Sequence, residues 1–293
     1  MSLFIPGYTI DKEIKHGGCG TVYLGKNIAE RKIVAIKIMN PNAAASVKLK
    51  MQFAQEIQIL SKLQHPYIVR LFCGINNAPR PALAMEFFES DTLKTLILQK
   101  SPLLVTHGVG MLRKVAEALK YVHSLNIVHK DIKPENILVN SAGEVRLIDF
   151  SLSEKINFFS RFKSRKLEGT PMYIAPEQIQ RKCPDSRTDI YSLGATFYEV
   201  FAGRNHIQAN SDKALLSQQI KGIVPKIRQS NKNVPYQIDN IILRMLKKNP
   251  AERYQSMGEM LFDLNKYTTR DYLYLPGQKV ADDSESDKQE KAK

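Results

Sequence analysis

His129-Lys130-Asp131-Ile132-Lys133-Pro134-Glu135-Asn136 sets a carboxylate, a lysine two residues later and a carboxamide five residues later between two apolar stretches. Each group has a chemistry suited to moving a charged fragment. Asp131 can accept a proton from a hydroxyl nucleophile, Lys133 can neutralise a transferring phosphoryl group, and Asn136 can bind Mg2+ through its oxygen. The plainer reading is a surface loop rich in acids and bases. Downstream, Leu147-Ile148-Asp149-Phe150-Ser151 puts a carboxylate at the end of an apolar strand, a natural position for a second metal ligand. Three more segments follow: Gly169-Thr-Pro-Met-Tyr-Ile-Ala-Pro-Glu177, Asp189-Ile-Tyr-Ser-Leu-Gly194 and Pro250-Ala-Glu-Arg253.

Upstream lies Lys15-His16-Gly17-Gly18-Cys19-Gly20-Thr21-Val22. Glycines between two strand signals let a backbone approach a phosphate without Cβ clashes, although a flexible hairpin turn has the same composition. Val34-Ala35-Ile36-Lys37 then sets a lysine among apolar strand neighbours. Burying it is costly unless an anion meets it; an edge residue facing water is the alternative. Glu56 follows on a helical pattern beside Ile57 and Leu60. There it can either reach Lys37 or remain a solvated helix charge.

The surrounding pattern changes character along the chain. Tyr8–Ile14, Val22–Leu24, Ile33–Ile38, Arg70–Ile75 and Ala82–Phe88 read as five strands, interrupted by one helix from Ser46 to Leu63 with Ser46 at its N-cap. Beyond residue 90 helices take over. Leu112, Val115, Ala116, Leu119 and Val122 form one helix face, Ile190, Leu193, Phe197, Val200 and Phe201 a second, and Ile238, Ile241, Ile242, Met245 and Leu246 a third. The expectation is an α+β chain of two lobes, 1–88 and 89–276, with a hinge near Glu86–Asp91. Residues 277–293 are polar, lack an apolar anchor and are expected to be disordered. The 293 residues are 43% hydrophobic and 25% charged, ordinary for a globular protein. A net charge of +14 suits an anionic ligand, nucleic acid or an acidic surface without choosing among them.

Taken in order and register, from about Tyr8 to Tyr267, these segments resemble the signature set of the protein kinases. The resemblance implies a bilobal kinase fold, β-rich then α-rich, and the cofactors ATP and Mg2+. It implies that Lys15, His16, Gly17, Gly18, Cys19 and Gly20 cover the nucleotide phosphates and that Lys37, held by Glu56, pairs the α- and β-phosphates. Val22, Ala35, Met85 and Leu138 then line the adenine pocket, with Met85 as gatekeeper and backbone groups of Glu86 and Phe88 binding the base. Asp131 is the implied catalytic base, Lys133 touches the γ-phosphate, and Asn136 and Asp149 hold Mg2+. Glu177 and Arg253 resemble the family's buried structural ion pair. Lys133 and Thr170 are the serine/threonine-class residues, and the Gly-Gly-Cys-Gly loop and the segment 189–194 without tryptophan resemble eukaryotic-type bacterial kinases. The implied partners are protein substrates with serine or threonine acceptors.

Three residues depart from the family pattern: Lys15 for the first loop glycine, Lys130 for the arginine before Asp131, and Ser151 for the glycine after Asp149-Phe150. Lys130 offers a phosphate a point charge in place of a bidentate fork, and Ser151 is expected to restrict the backbone beside Asp149. None removes a catalytic side chain, so an active enzyme is expected in preference to a pseudokinase scaffold. The activation segment carries four cations in residues 161–166. These, with Lys130, are expected to repel one another until a phosphate on Ser164, or on Ser160, gathers them. Basic residues elsewhere are scattered without aromatic interleaving, so nucleic acid is not an expected partner. Three distant cysteines point to a reducing cytoplasm. The N-terminus does not read as a signal peptide, and no apolar run suits a membrane span or anchor.

Overall fold

Alternation in the first ninety residues becomes an antiparallel sheet in the order β1 (Tyr8–His16), β2 (Gly20–Asn27), β3 (Ile33–Met39), β5 (Ala82–Glu86), β4 (Leu71–Ile75). The computed structural model describes residues 5–76, 79–156 and 169–266. Strands β1 (Tyr8–His16) and β2 (Gly20–Asn27) meet at the glycine turn, and β3 (Ile33–Met39) pairs with both β2 and β5. A short helix α1 (Pro41–Ala44) leads into α2 (Val47–Leu60). Ser46 caps α2 by accepting from the Leu49 amide at 3.4 Å, as expected of a serine before an apolar helical stripe. The helix stops at Leu60, three residues before the reading from periodicity, because Ser61 to Leu63 turn to bury Leu63. β4 (Leu71–Ile75) and β5 (Ala82–Glu86) complete the sheet. Phe53, Ile57, Met39 and Leu83 pack α2 onto it.

The chain crosses to the second lobe through β6 (Asp91–Thr92) and α3 (Leu93–Leu98), then buries α4 (Leu103–Ser124). Leu112, Val115, Ala116, Leu119 and Val122 are wholly buried, the face expected from their spacing. Small strands frame the loop that follows. β7 (Ile127–Val128) pairs antiparallel with β10 (Glu154–Lys155), and β8 (Ile137–Val139) lies between β6 and β9 (Val145–Leu147). Leu147 also bridges to Ile68 and its carbonyl accepts from the Val69 amide at 3.1 Å, which ties the sheet-bearing part of the chain to the helical part.

α5 (Pro176–Ile179) precedes α6 (Ser186–Ala202), which is buried around nearly its whole circumference and is the central post of the helical lobe. α8 (Tyr236–Met245) packs against it, α9 (Met257–Asn265) lies against α4 and α8, and α7 (Asp212–Lys221) lies against α5. Phe201 is half-buried at the end of α6, and Leu246 lies buried just past α8. No helix among the described residues is long and apolar enough to cross a membrane. Ser160, Ser164 and the 277–293 tail lie outside the described residues.

Candidate active site

The sheet delivers Lys37 to the cleft because β3 is a central strand, with Val22 opposite on β2 and Leu83 on β5. Its Nζ lies 2.8 Å from both carboxylate oxygens of Glu56 on α2 and 3.7 Å from Asp149 Oδ1. Glu56 is 3% exposed and is therefore not a solvated helix charge. Burial works against the Lys37 ammonium, but the Glu56 and Asp149 carboxylates outweigh it and raise its pKa. Burial would raise the Asp149 carboxyl; instead Lys37 and the Ser151 hydrogen bonds hold it at about 2. Asp149 is thus an anion throughout the neutral range.

Across the cleft, Asp189 at the start of α6 shapes the loop around Asp131. Its fully buried carboxylate accepts the amides of His129 and Lys130 at 2.8 Å each, and lies 2.8 Å from His123 Nε2. Those bonds stabilise a left-handed turn at Lys130, φ 71°, a conformation uncommon for a non-glycine residue. Lys133 Nζ donates to Asp131 Oδ2 at 2.6 Å and to Thr170 Oγ1 at 2.9 Å, and the Thr170 hydroxyl lies 3.5 Å from Asp131 Oδ1. Asn136 Nδ2 donates to the Asp131 carbonyl at 2.9 Å and to Oδ2 at 3.2 Å. With the amide nitrogen so employed, the Asn136 carbonyl oxygen is the atom left to face a cation. That oxygen and the ionised Asp149 carboxylate are hard donors of the kind a divalent cation such as Mg2+ takes, alongside phosphate and water.

One expectation about the departures needs correction, and it concerns Lys130. Beside the proposed metal ligand, the left-handed residue is Asp149, φ 64°, while Ser151 is not among the positive-φ residues. Its amide points back to Asp149 Oδ1 at 3.4 Å. Lys130 is not a cation awaiting a partner: its Nζ meets Glu154 Oε2 at 3.2 Å, with both side chains 13% exposed. The third departure, Lys15, is an exposed strand residue opposite Val22, after a bulge in β1.

Ala35 is buried in the cleft roof, and Val22, Met85 and Leu138 are half-buried. Ala35 and Met85 are direct cross-strand partners. The chain after β5 is held by a residue that the sequence reading passed over. Arg146 Nε donates to both Glu86 carboxylate oxygens at 3.0 and 3.2 Å, and its guanidinium lies 4.5 Å from the Phe88 ring centroid. A cation inside the apolar run Val145-Arg146-Leu147 was the available signal. Gln178 on α5 also escaped notice; it donates to the Lys130 carbonyl at 3.3 Å. At the far end of the segment Arg253 grips Glu177 through two parallel bonds of 2.8 Å, with both residues buried.

The protein kinase domain family matches residues 8–262 of the chain. Among similar proteins, the serine/threonine-protein kinase PknL of Mycobacterium tuberculosis is 31% identical over 257 residues, 88% of this chain and 64% of that protein. The serine/threonine-protein kinase PrkC of Bacillus subtilis is 29% identical over 281 residues, 96% of this chain and 43% of its own length. The corresponding PknB of Mycobacterium leprae is 28% identical over 262 residues, 88% and 42%. The chain therefore spans between two-fifths and two-thirds of the length of these relatives.

Proposed function

The chain belongs to the protein kinase family, and from that premise we propose that it transfers the γ-phosphoryl group of ATP, bound with Mg2+, to serine or threonine hydroxyls of proteins. One arrangement carries the reading: the buried Asp131 carboxylate, bracketed by Lys133, Thr170 and Asn136, shares a cleft with the Lys37–Glu56–Asp149 ion cluster. Bound Mg-ATP supplies the phosphoryl group and the cation that offsets its charge. Asp131 orients the acceptor hydroxyl and takes its proton, Lys133 faces the charge developing on the transferring group, and Asn136 and Asp149 hold the metal. Lys37, aligned by Glu56, pairs the α- and β-phosphates beneath the loop of Lys15, His16, Gly17, Gly18, Cys19 and Gly20. Val22, Ala35, Met85 and Leu138 enclose the base, with main-chain groups of Glu86 and Phe88 at its edge. The Lys133–Thr170 contact favours the serine/threonine class, in keeping with the names of the relatives.

A scaffold without transfer is disfavoured, since Lys37, Asp131 and Asp149 are all present. The three cysteines Cys19, Cys73 and Cys183, odd in number and far apart in the sequence, favour a reducing, cytoplasmic setting for this domain. Autophosphorylation of Ser164, with Ser160 the second candidate, is the switch the cationic segment favours. The Lys130–Glu154 pair then adds a requirement that the new phosphate displace Glu154 or rely on the segment's own cations.

Labelled ATP, Mg2+ and a basic protein acceptor test the transfer, with the expected product phosphoserine or phosphothreonine. Asp131→Asn keeps the shape but lacks a base. Turnover is expected to fall by about 10²–10⁴-fold with ATP affinity retained. Turnover near that of the unaltered chain would remove Asp131 from its role. Mass spectrometry of the active and Asp131→Asn proteins, followed by kinetics of Ser164→Ala, tests the switch. Full activity with no phosphate on the segment would exclude it.

A further inference from the structure

Asn40 directly follows β3, the strand that presents Lys37, and occupies the N-cap position of α1 with φ −67° and ψ 150°. An asparagine there ordinarily turns its oxygen onto the first-turn amides of the helix. This one makes no such bond. Its carboxamide reaches back to the glycine loop instead. Nδ2 donates to the Gly17 carbonyl at 2.6 Å, with the Gly18 carbonyl at 3.5 Å, and Oδ1 accepts from the Thr21 hydroxyl at 2.8 Å. The Asn40 amide also donates to the Cys19 carbonyl at 3.0 Å. Thr21, 2% exposed, lies 3.0 Å from His16 Nδ1 as well. Because the single hydroxyl proton goes to Asn40, the imidazole is the donor in that contact. One side chain thus joins both sides of the turn.

A glycine-rich turn has more backbone freedom to lose than any other sequence. If it must be ordered around a phosphate at the moment of binding, that entropy is subtracted from affinity; if it is ordered beforehand, it is not. We propose that Asn40 is a positioning residue that pre-orders the glycine loop over the nucleotide phosphates and keeps it in register with Lys37. The inference rests on the kinase reading of the site. It concerns the phosphates alone, since Asn40 holds the turn and not the adenine-facing residues Ala35, Met85 and Leu138. The side chain caps no helix, so its loss leaves the capping of α1 untouched.

The experiment measures KM for ATP, kcat, the dissociation constants of ATP and of adenosine, and the melting temperature. Asn40→Ala and Thr21→Val are compared with the unaltered chain, and Thr21→Ser serves as the conservative control. Asn40→Ala is expected to weaken ATP by about tenfold, equivalent to about 1.4 kcal/mol, the scale of one hydrogen bond at its upper range. KM should rise with it while kcat changes far less, and adenosine affinity and melting temperature should stay at their original values. Thr21→Val should move the same way by a smaller factor, and Thr21→Ser should restore the original behaviour. Unchanged ATP affinity in Asn40→Ala, or equal weakening of ATP and adenosine, would overturn the proposal while leaving the kinase reading intact. An unaltered chain that binds no ATP would overturn both.

Discussion

Lys37 and Glu56, to which the proposed function assigns the alignment of the nucleotide phosphates, are also held together by a stability constraint. Glu56 is 3% exposed and Lys37 16%, so neither charge is well solvated and each depends on the other. Lys37→Met leaves a buried carboxylate without its ammonium, and half-broken buried pairs cost about 3–5 kcal/mol. The partial exposure of Lys37 places the expected loss near the lower end of that range. Lys37→Met/Glu56→Leu removes the orphaned charge, so urea unfolding should recover most of the loss while turnover stays absent. A single variant as stable as the original chain would mean that Glu56 finds another partner. Ser151 poses a subtler question at the same scale. Glycine keeps the backbone N–H that donates to Asp149 but loses the serine side chain and frees the backbone beside it, so Ser151→Gly is expected to loosen the proposed metal site and raise the Mg2+ concentration needed for half-maximal turnover. Superimposable Mg2+ titrations would make the serine a silent substitution.

At the level of elements, what was legible depended on length. Strands of five residues or more in the sheet, and the faces of α4, α6 and α8, carry enough repeats of their period to be read directly. α1, β6, β7, β8, β9 and β10 have four residues or fewer, too short for periodicity, and exist because neighbouring segments supply their hydrogen-bond partners. The same limit applies to the site. Asp131, Asn136 and Asp149 stood out because each sits in an unusual local sequence. Asn40, Arg146 and Gln178 act through partners distant in the chain, which no local pattern reports. Asp189 shows the difference well: its segment was legible, but its task was not. That task predicts a particular kinetic signature. Burial would raise the Asp189 carboxyl, yet the His123 hydrogen bond and the two loop amides hold it below the usual range. Asp189→Asn turns an amide NH2 toward donors and loses charge-assisted bonds worth about 1.5–3 kcal/mol each. A lower kcat with nearly unchanged KM for ATP is expected, because the loop of Asp131 loosens while the Lys37 side of the cleft stays in place. Equal changes in both constants would argue for general unfolding instead.

Across the whole molecule, the helical lobe contains a second buried polar network, remote from the cleft, that should govern its response to pH. Tyr191 on α6 contacts Gln219 of α7 at 2.5 Å, His206 at 3.3 Å and Lys248 at 3.1 Å, while Arg253 stacks 4.8 Å from its ring and holds Glu177. Gln219 continues the network by donating to the Pro171 and Met172 carbonyls. The packing that supports the Pro171–Met172 backbone is therefore polar and titratable. Burial, reinforced by the Lys248 ammonium, pushes His206 from 6.5 down to about 3. Its folded value lies below the unfolded one, so the unfolded chain binds the extra proton between those limits. The neutral imidazole is accommodated above pH 6.5, and stability is lost as pH falls from there toward 3. At pH 5 the expected loss from this residue is about 2 kcal/mol, from 1.36 kcal/mol for each pH interval below 6.5. His129, also lowered by burial, adds to the loss in the same direction. Lys248 acts in another window: burial and Arg253 lower it to about 8 from 10.5, so stability should rise between those two values. Urea unfolding at pH 7.5 and pH 5 tests the acid limb. The original chain should lose at least about 2 kcal/mol between them, and His206→Gln should lose about that much less while keeping a polar partner for Tyr191. Equal losses in the two proteins would mean that His206 is protonated in the folded state, with its ring open to water.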